Sequence, residues 1–215
     1  MPSYSNLPQT LIDRHHDWHK NEFQSQQDLY SQLVDEGQHP QSMIISCCDS
    51  RVNVTSIFEA EAGDFFVHRN IANLVPPYAP GTNNHGTSAA LEYAVCVLEV
   101  QHIIVVGHSQ CGGVKGCHDM CSGHAPSLEQ RNSFVGHWLE VLRPAYEKVV
   151  SMKSSTPIED LEREGIRLSI ENLMTFPFVA EKRNAKVLAL HGLWHDIKTG
   201  RLEMLNPATE GFEIV

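Results

Sequence analysis

The sequence predicts an α/β fold: a mostly parallel β-sheet of four parallel strands plus a C-terminal strand or hairpin, flanked by helices, with an N-terminal helical arm. Three observations carry this expectation. Short apolar, β-branched runs recur at 42–47, 64–69, 102–107 and 186–190, each too short for a helix. Segments of helical period lie between them, the alternation that builds a parallel sheet covered on both faces. Two of the runs end in turns carrying Cys, His, Asp and Gly, and in such sheets functional groups gather at C-terminal strand ends, near the point where strand order reverses.

The arm, residues 10–36, is rich in polar helix formers, with Leu11, Trp18, Leu29, Leu33 and Val34 at roughly helical spacing. Trp18 and Phe23 do not share a face, so this thin stripe needs something to lie on. Gly37 and Pro40 end the arm. After the first strand, 54–61 reads as a short helix closed by Gly63, and 64–69 as the second strand. Pro76, Pro77, Pro80, Gly81 and Asn83-Asn84 mark 70–86 as a loop. Residues 87–100 follow helical period, with Ala90, Leu91, Ala94, Val95 and Leu98 on one face and Thr87 or Ser88 as N-cap. The strand at 102–107 leads through its turn into a helix at 112–120. Two further helices are expected at 128–150 and 158–176, then the strand 186–190. A hairpin joins 194–197 to 202–205 around Lys198-Thr199-Gly200.

The length of 215 residues suits one domain, 1–215, with residues 1–36 as its arm. A formal net charge of −10, with no cluster of Lys or Arg, argues against nucleic acid or an anionic membrane as partner. The longest apolar runs span about half a dozen residues, against the roughly 20 needed to cross a bilayer. The N-terminus has no basic segment followed by an apolar stretch, so a cytoplasmic location is expected. Six unevenly spaced cysteines do not make a disulfide framework; reduced thiols and metal ligation fit them better.

The chemistry concentrates in two stretches. Ser46-Cys47-Cys48-Asp49-Ser50-Arg51-Val52 follows the first strand, and Gly107-His108-Ser109-Gln110-Cys111-Gly112-Gly113 follows the third. If those strands are neighbours, Cys47, His108 and Cys111 converge. Two thiolates and one imidazole suit Zn²⁺, and three protein ligands leave a fourth position open for catalysis. Asp49 and Arg51 set a carboxylate and a guanidinium beside that opening.

Together these stretches resemble the β-class carbonic anhydrases. The resemblance extends to Gly37-Gln38-x-Pro40, to Phe66-Val67-His68-Arg69-Asn70-Ile71-Ala72-Asn73, to Ala90-Leu91-Glu92-Tyr93-Ala94-Val95 and to Leu190-His191-Gly192. It covers roughly residues 35–206. Cys48 departs from it, standing where the family often has Ser, and its side chain is expected to point away from the metal.

The resemblance implies one zinc per chain, held by Cys47, His108 and Cys111, with Asp49 as fourth ligand in a closed state. It implies hydroxide attack on CO₂ to give bicarbonate, with the Asp49/Arg51 pair orienting the nucleophile. It also implies a CO₂ pocket of Gln38, Phe66, Ile71, Tyr93 and the Gly112 backbone N–H, partly supplied by a neighbouring subunit of a homodimer or tetramer. Two thiolates cancel the zinc's formal charge, so its bound water is less acidic than on a three-His zinc, where the pKa is about 7. A group that orients the nucleophile then matters more. Asp49 serves only while a charge-assisted pair with Arg51 holds it off the metal, a switch that favours activity at alkaline pH. Some family members add a regulatory bicarbonate site built from a Trp, an Arg and a Tyr. Here Arg69 matches the Arg, but Ile44 and His195 stand at the other two positions, so a constitutively open enzyme is expected.

Two other readings use the same residues: hydrolysis of a CO₂ analogue such as CS₂ or COS, and a non-catalytic zinc-stabilised or redox-sensing protein. Cys117, His118 and Cys121 with Cys111 imitate a second zinc motif, but buried free thiols account for them better. The histidines 15, 16 and 19 and the charge run 159–164 read as solvated helix faces.

Overall fold

The computed structural model describes residues 5–81 and 86–215. The expected Asn83-Asn84 turn lies outside the described residues. The chain forms two compact units that divide after His39.

In the first unit the single helix expected over 10–36 is two: α1 (Gln9–Asn21) and α2 (Gln27–Glu36), joined by a 3₁₀ turn at Phe23–Gln26. The break has a local cause. A continuous helix would put Trp18 and Phe23 on different faces, whereas the turn brings their rings to 5.4 Å and sets Tyr30 5.2 Å from Phe23. Gly37, at φ 85°, ends α2 in a conformation that L-residues rarely adopt.

The second unit is built on six strands: β1 (Ser42–Cys47), β2 (Phe65–Asn70), β3 (His102–His108), β4 (Ala189–His195), β5 (Leu202–Leu205) and β6 (Phe212–Ile214). Their order is β2-β1-β3-β4-β5-β6. The first four pair in parallel, and β5 and β6 add an antiparallel edge. The predicted architecture therefore holds. The chain leaves β1 toward β2 on one side, and β3 toward β4 on the other. Strand order thus reverses between β1 and β3, whose ends meet with Ser46 level with Val106. Residues Met43 to Cys47 are buried without interruption, as a strand covered on both faces requires.

Several local expectations change. The helix after β1 is one turn, α3 (Val54–Ile57). The segment after the long loop runs as α4 (Gly86–Glu92) and then widens into a π turn at Tyr93–Val97, which keeps Ala94 and Val95 buried while Tyr93 and Val97 face outward. The helix expected over 128–150 starts only at Ser133, whose Oγ caps α6 (Phe134–Leu139) by accepting from the Gly136 N–H at 3.0 Å. It is broken again before α7 (Arg143–Ser151), where Pro144 has no N–H to continue the ladder. The strand at 186–190 and the first arm of the hairpin at 194–197 are one strand, β4. Helix α9 (Pro177–Asn184) was not expected, although it opens on Pro at a first-turn position and closes on Lys182 and Arg183, the usual start and stop signals. Helices α5 (Gly112–Cys121) and α8 (Pro157–Leu173) fall close to expectation.

Helix α8 lies against β3 and β4. The approach is close: a methyl group on Gly107 would stand 2.7 Å from Ile166 Cδ1. That packing carries α8 past the C-terminal ends of both strands.

Candidate metal centre

Cys47 ends β1, His108 ends β3, and Cys111 sits three residues on, at the N-cap of α5. Parallel pairing of β1 and β3 brings them together, all buried, with their ligand atoms within 4.8 Å of one another. The two sulfurs are 3.9 Å apart. Tetrahedral zinc with Zn–S bonds of about 2.3 Å needs a sulfur separation of about 3.8 Å, so the donor set fits. The imidazole is already oriented: Nδ1–H donates to the Ser109 carbonyl at 2.9 Å, leaving Nε2 buried, with no hydrogen-bond partner. A buried lone pair with nothing to accept from is what a ligand nitrogen offers before metal arrives.

The backbone prepares the sulfurs as well. Cys47 is pulled well below the usual thiol range, first by its hydrogen bond with Cys111 and further by the imidazole and the amides of Asp49 and Ala72. Cys111 is pushed up correspondingly by the same contact, while the amides of Val114 and Gly113 at the start of α5 act in the opposite sense. A divalent cation at this point would favour both thiolates together.

Asp49 and Arg51 form a two-pronged pair: Nε to Oδ1 at 2.9 Å and a guanidinium NH₂ to Oδ2 at 2.8 Å, with the Arg51 backbone N–H also donating to Oδ1 at 2.9 Å. The Arg51 side chain holds the Asp49 carboxyl well below the usual carboxylate range. The same guanidinium donates to the Gln110 carbonyl at 3.1 Å, tying the first turn to the second.

Of the expected pocket residues, Phe66 and Tyr93 have rings 5.8 Å apart, and Gly112 opens α5. Ile71 packs beside that helix start, where a methyl on Gly113 would lie 2.7 Å from Ile71 Cγ2. Gln38 belongs to the N-terminal unit. Cys48 is exposed, and Cys117 and Cys121 face each other at 3.9 Å. Among the described residues only Cys47, His108 and Cys111 form a group able to hold a metal ion.

Three features were not foreseen. Arg69, expected only as part of an anion site, donates to the carbonyls of Cys47, Asp49 and Val52, each at 2.8 Å. Ser109 Oγ donates to Asp196 at 3.0 Å and accepts from the Ile197 N–H at 3.0 Å, fastening the β4–β5 turn to the ligand turn. Glu162, assigned to a solvated charge run, is only 3% exposed, and Glu164 is buried with it. A sequence signal existed: Ile158, Glu162, Ile166 and Leu173 follow the apolar stripe of α8, on which a carboxylate is out of place.

A mostly parallel sheet with a buried Cys-His-Cys group at its switch point defines an α/β protein with a site suited to a metal ion. The carbonic anhydrase family model matches residues 42–202. Beta carbonic anhydrase 3 of Arabidopsis thaliana is 34% identical over 188 residues, 86% of this chain and 71% of that protein. The structure of the β-carbonic anhydrase CcaA superimposes with a TM-score of 0.86 at 35% identity, covering 96% of this chain and 91% of that one. A tetrameric β-carbonic anhydrase from Sordaria macrospora gives a TM-score of 0.76 at 29% identity, covering 92% and 96%. The chain belongs to the β-class carbonic anhydrases, a zinc-dependent family, and is a carbonic anhydrase, a lyase. No helix among the described residues is long and apolar enough to cross a membrane.

Proposed function

We propose that this chain catalyses the reversible hydration of CO₂ to bicarbonate and a proton with one zinc held by Cys47, His108 and Cys111. The observation that carries the reading is the set of three buried donors, one of them the unpartnered His108 Nε2, beside an Asp49 whose two oxygens are both occupied by Arg51. When bound, zinc would supply the Lewis acid that makes water acidic enough to act as a nucleophile toward alkaline pH. Asp49 stays ionised throughout the working range and accepts a hydrogen bond from that nucleophile, fixing its direction. Arg51 keeps Asp49 in this role, because a carboxylate released from its partner is free to become the fourth ligand. This arrangement supports the open form, in which Arg51 holds both Asp49 oxygens away from the metal position.

Phe66, Ile71 and Tyr93, partly from a neighbouring subunit, supply an apolar wall for CO₂, with the Gly112 N–H as the donor that orients it. A homodimer or tetramer is in keeping with the tetrameric relative. We further place the enzyme in the cytoplasm and treat residues 1–215 as one functional domain.

The test is stopped-flow CO₂ hydration by zinc-quantified protein from mildly acidic to alkaline pH. Activity rising with pH at one zinc per chain is expected. Full zinc with no hydration in alkali overturns the proposal.

A further inference from the structure

We propose that Glu162 is a positioning residue of the metal centre, fixing Cys111 through its backbone; the inference rests on the zinc reading above. The carboxylate comes from α8, and its two oxygens take two donors from different parts of the fold. Oε1 accepts from the Cys111 N–H at 3.1 Å and Oε2 from the Trp194 indole N–H at 3.1 Å. Glu162 thus links a helix, strand β4 and the ligand turn at one point. Among the described residues no cation is paired with it; the neighbouring Arg163 lies over the Trp194 ring at 3.9 Å and bonds Glu159 and Glu203 instead.

A carboxylate without a paired cation is costly to bury, and a structural stripe is served as well by leucine. What it accomplishes here is specific. The Cys111 amide is a backbone donor of the turn between strand and helix, and it is met by the Glu162 carboxylate. The Ser109 amide bonds the His195 carbonyl, the Ser109 carbonyl takes His108 Nδ1–H, and the Gln110 carbonyl takes Arg51. With Glu162 in place the backbone is held at Ser109, Gln110 and Cys111, which fixes the point from which the Cys111 side chain reaches the site. Groups that orient a ligand typically carry a 10–100-fold effect on metal affinity or activity.

The experiment compares zinc transfer to a chromogenic chelator, and the thiolate-to-cobalt charge-transfer spectrum of the Co²⁺ form, in wild type, Glu162→Gln, Trp194→Phe and the double variant. Glutamine is nearly isosteric but has one acceptor oxygen for two donors, so its NH₂ faces an N–H. Glu162→Gln is expected to release zinc about tenfold faster with a shifted cobalt spectrum, and Trp194→Phe to stay within about twofold because the Cys111 bond survives. The double variant should recover toward wild type, since removing the indole donor lets the amide oxygen serve Cys111 alone. Glu162→Gln matching wild type in both readouts overturns the inference, as does a double variant with no recovery. Wild type that shows no cobalt–thiolate band would instead overturn the zinc reading, so the two failures are distinguishable.

Discussion

The two turns that meet at the metal centre are built on opposite plans. In the turn after β3, residues 108–111, the anchors come from outside: Glu162 of α8, the His195 carbonyl, Asp196 beyond β4, and Arg51. The turn after β1, residues 47–52, has its carbonyls gathered by one side chain, Arg69, while its own side chains, Asp49 and Arg51, hold each other. The first plan delivers two ligands in fixed positions. The second delivers one ligand and a charged pair with a single internal latch. On the proposed zinc reading, the first plan bears chiefly on metal affinity and the second on whether bound metal is available for catalysis.

Substitutions that respect this division should separate binding from turnover. The largest effect is expected from Cys111→Ser, which removes a ligand from the fixed turn: zinc content should fall from one per chain toward zero, with hydration lost alongside it, as metal analysis and stopped-flow assay would show. Arg51→Ala opens the latch and leaves the ligands intact. Zinc should remain near one per chain while kcat falls about 10²–10³-fold, the range for losing a preorganised electrostatic partner. Loss of zinc in Arg51→Ala would break the comparison. Arg69→Gln comes next. It frees three carbonyls at the base of the first turn and should cost about 1–3 kcal/mol and roughly tenfold in kcat, with zinc retained.

The same division explains what could be read from the sequence. Both ligand turns were legible because each follows a short β-branched run that reads as a buried strand, and because the two occur together, with Asp49 and Arg51 alongside, in the pattern of the β-class carbonic anhydrases. The Asp49–Arg51 pair was legible from a spacing of two. The supports of the fixed turn were not, because they come from far along the chain. Glu162 lies 51 residues from Cys111 and sits inside a run of charged residues, and Asp196 lies 87 residues from Ser109. Boundaries failed where one residue overrode a period: Pro144 inside an apparent long helix, and Gly192 in the middle of β4, which split one strand into two. The bend between α1 and α2 failed for a different reason, since an aromatic cluster of Trp18, Phe23 and Tyr30 forms only after the chain turns.

A subtler test concerns the start of α5, where the fixed turn leans on Ile71 and Ala72. A methyl on Gly113 would stand 2.7 Å from Ile71 Cγ2 and 3.0 Å from Ala72 Cβ. Gly113→Ala must push that segment or the helix aside, at about 1–3 kcal/mol. Because Ile71 is also an expected wall of the CO₂ pocket, KM should rise more than zinc release does. A variant that loses zinc but keeps KM would show that the segment serves the fixed turn alone.

The smallest effect separates the scaffold from both turns. Burial lowers the pKa of His68, and burial with His102 and Arg183 nearby lowers that of His191; neither is a metal ligand. The unfolded chain binds these protons near its ordinary value of about 6.5, whereas the fold resists them until the pH is lower. Below about pH 6.5 the unfolded state therefore carries more protons, and stability must fall as pH falls through the folded values. In zinc-free protein these two histidines add to the decline of Tm from about pH 7 toward pH 5.5, alongside the lowered Cys47 thiol and the buried His195. His68→Gln combined with His191→Gln should make that decline shallower. If the slope is unchanged, the acid sensitivity belongs to the turns themselves, and the division between a rigid scaffold and a chemically active rim would have to be redrawn.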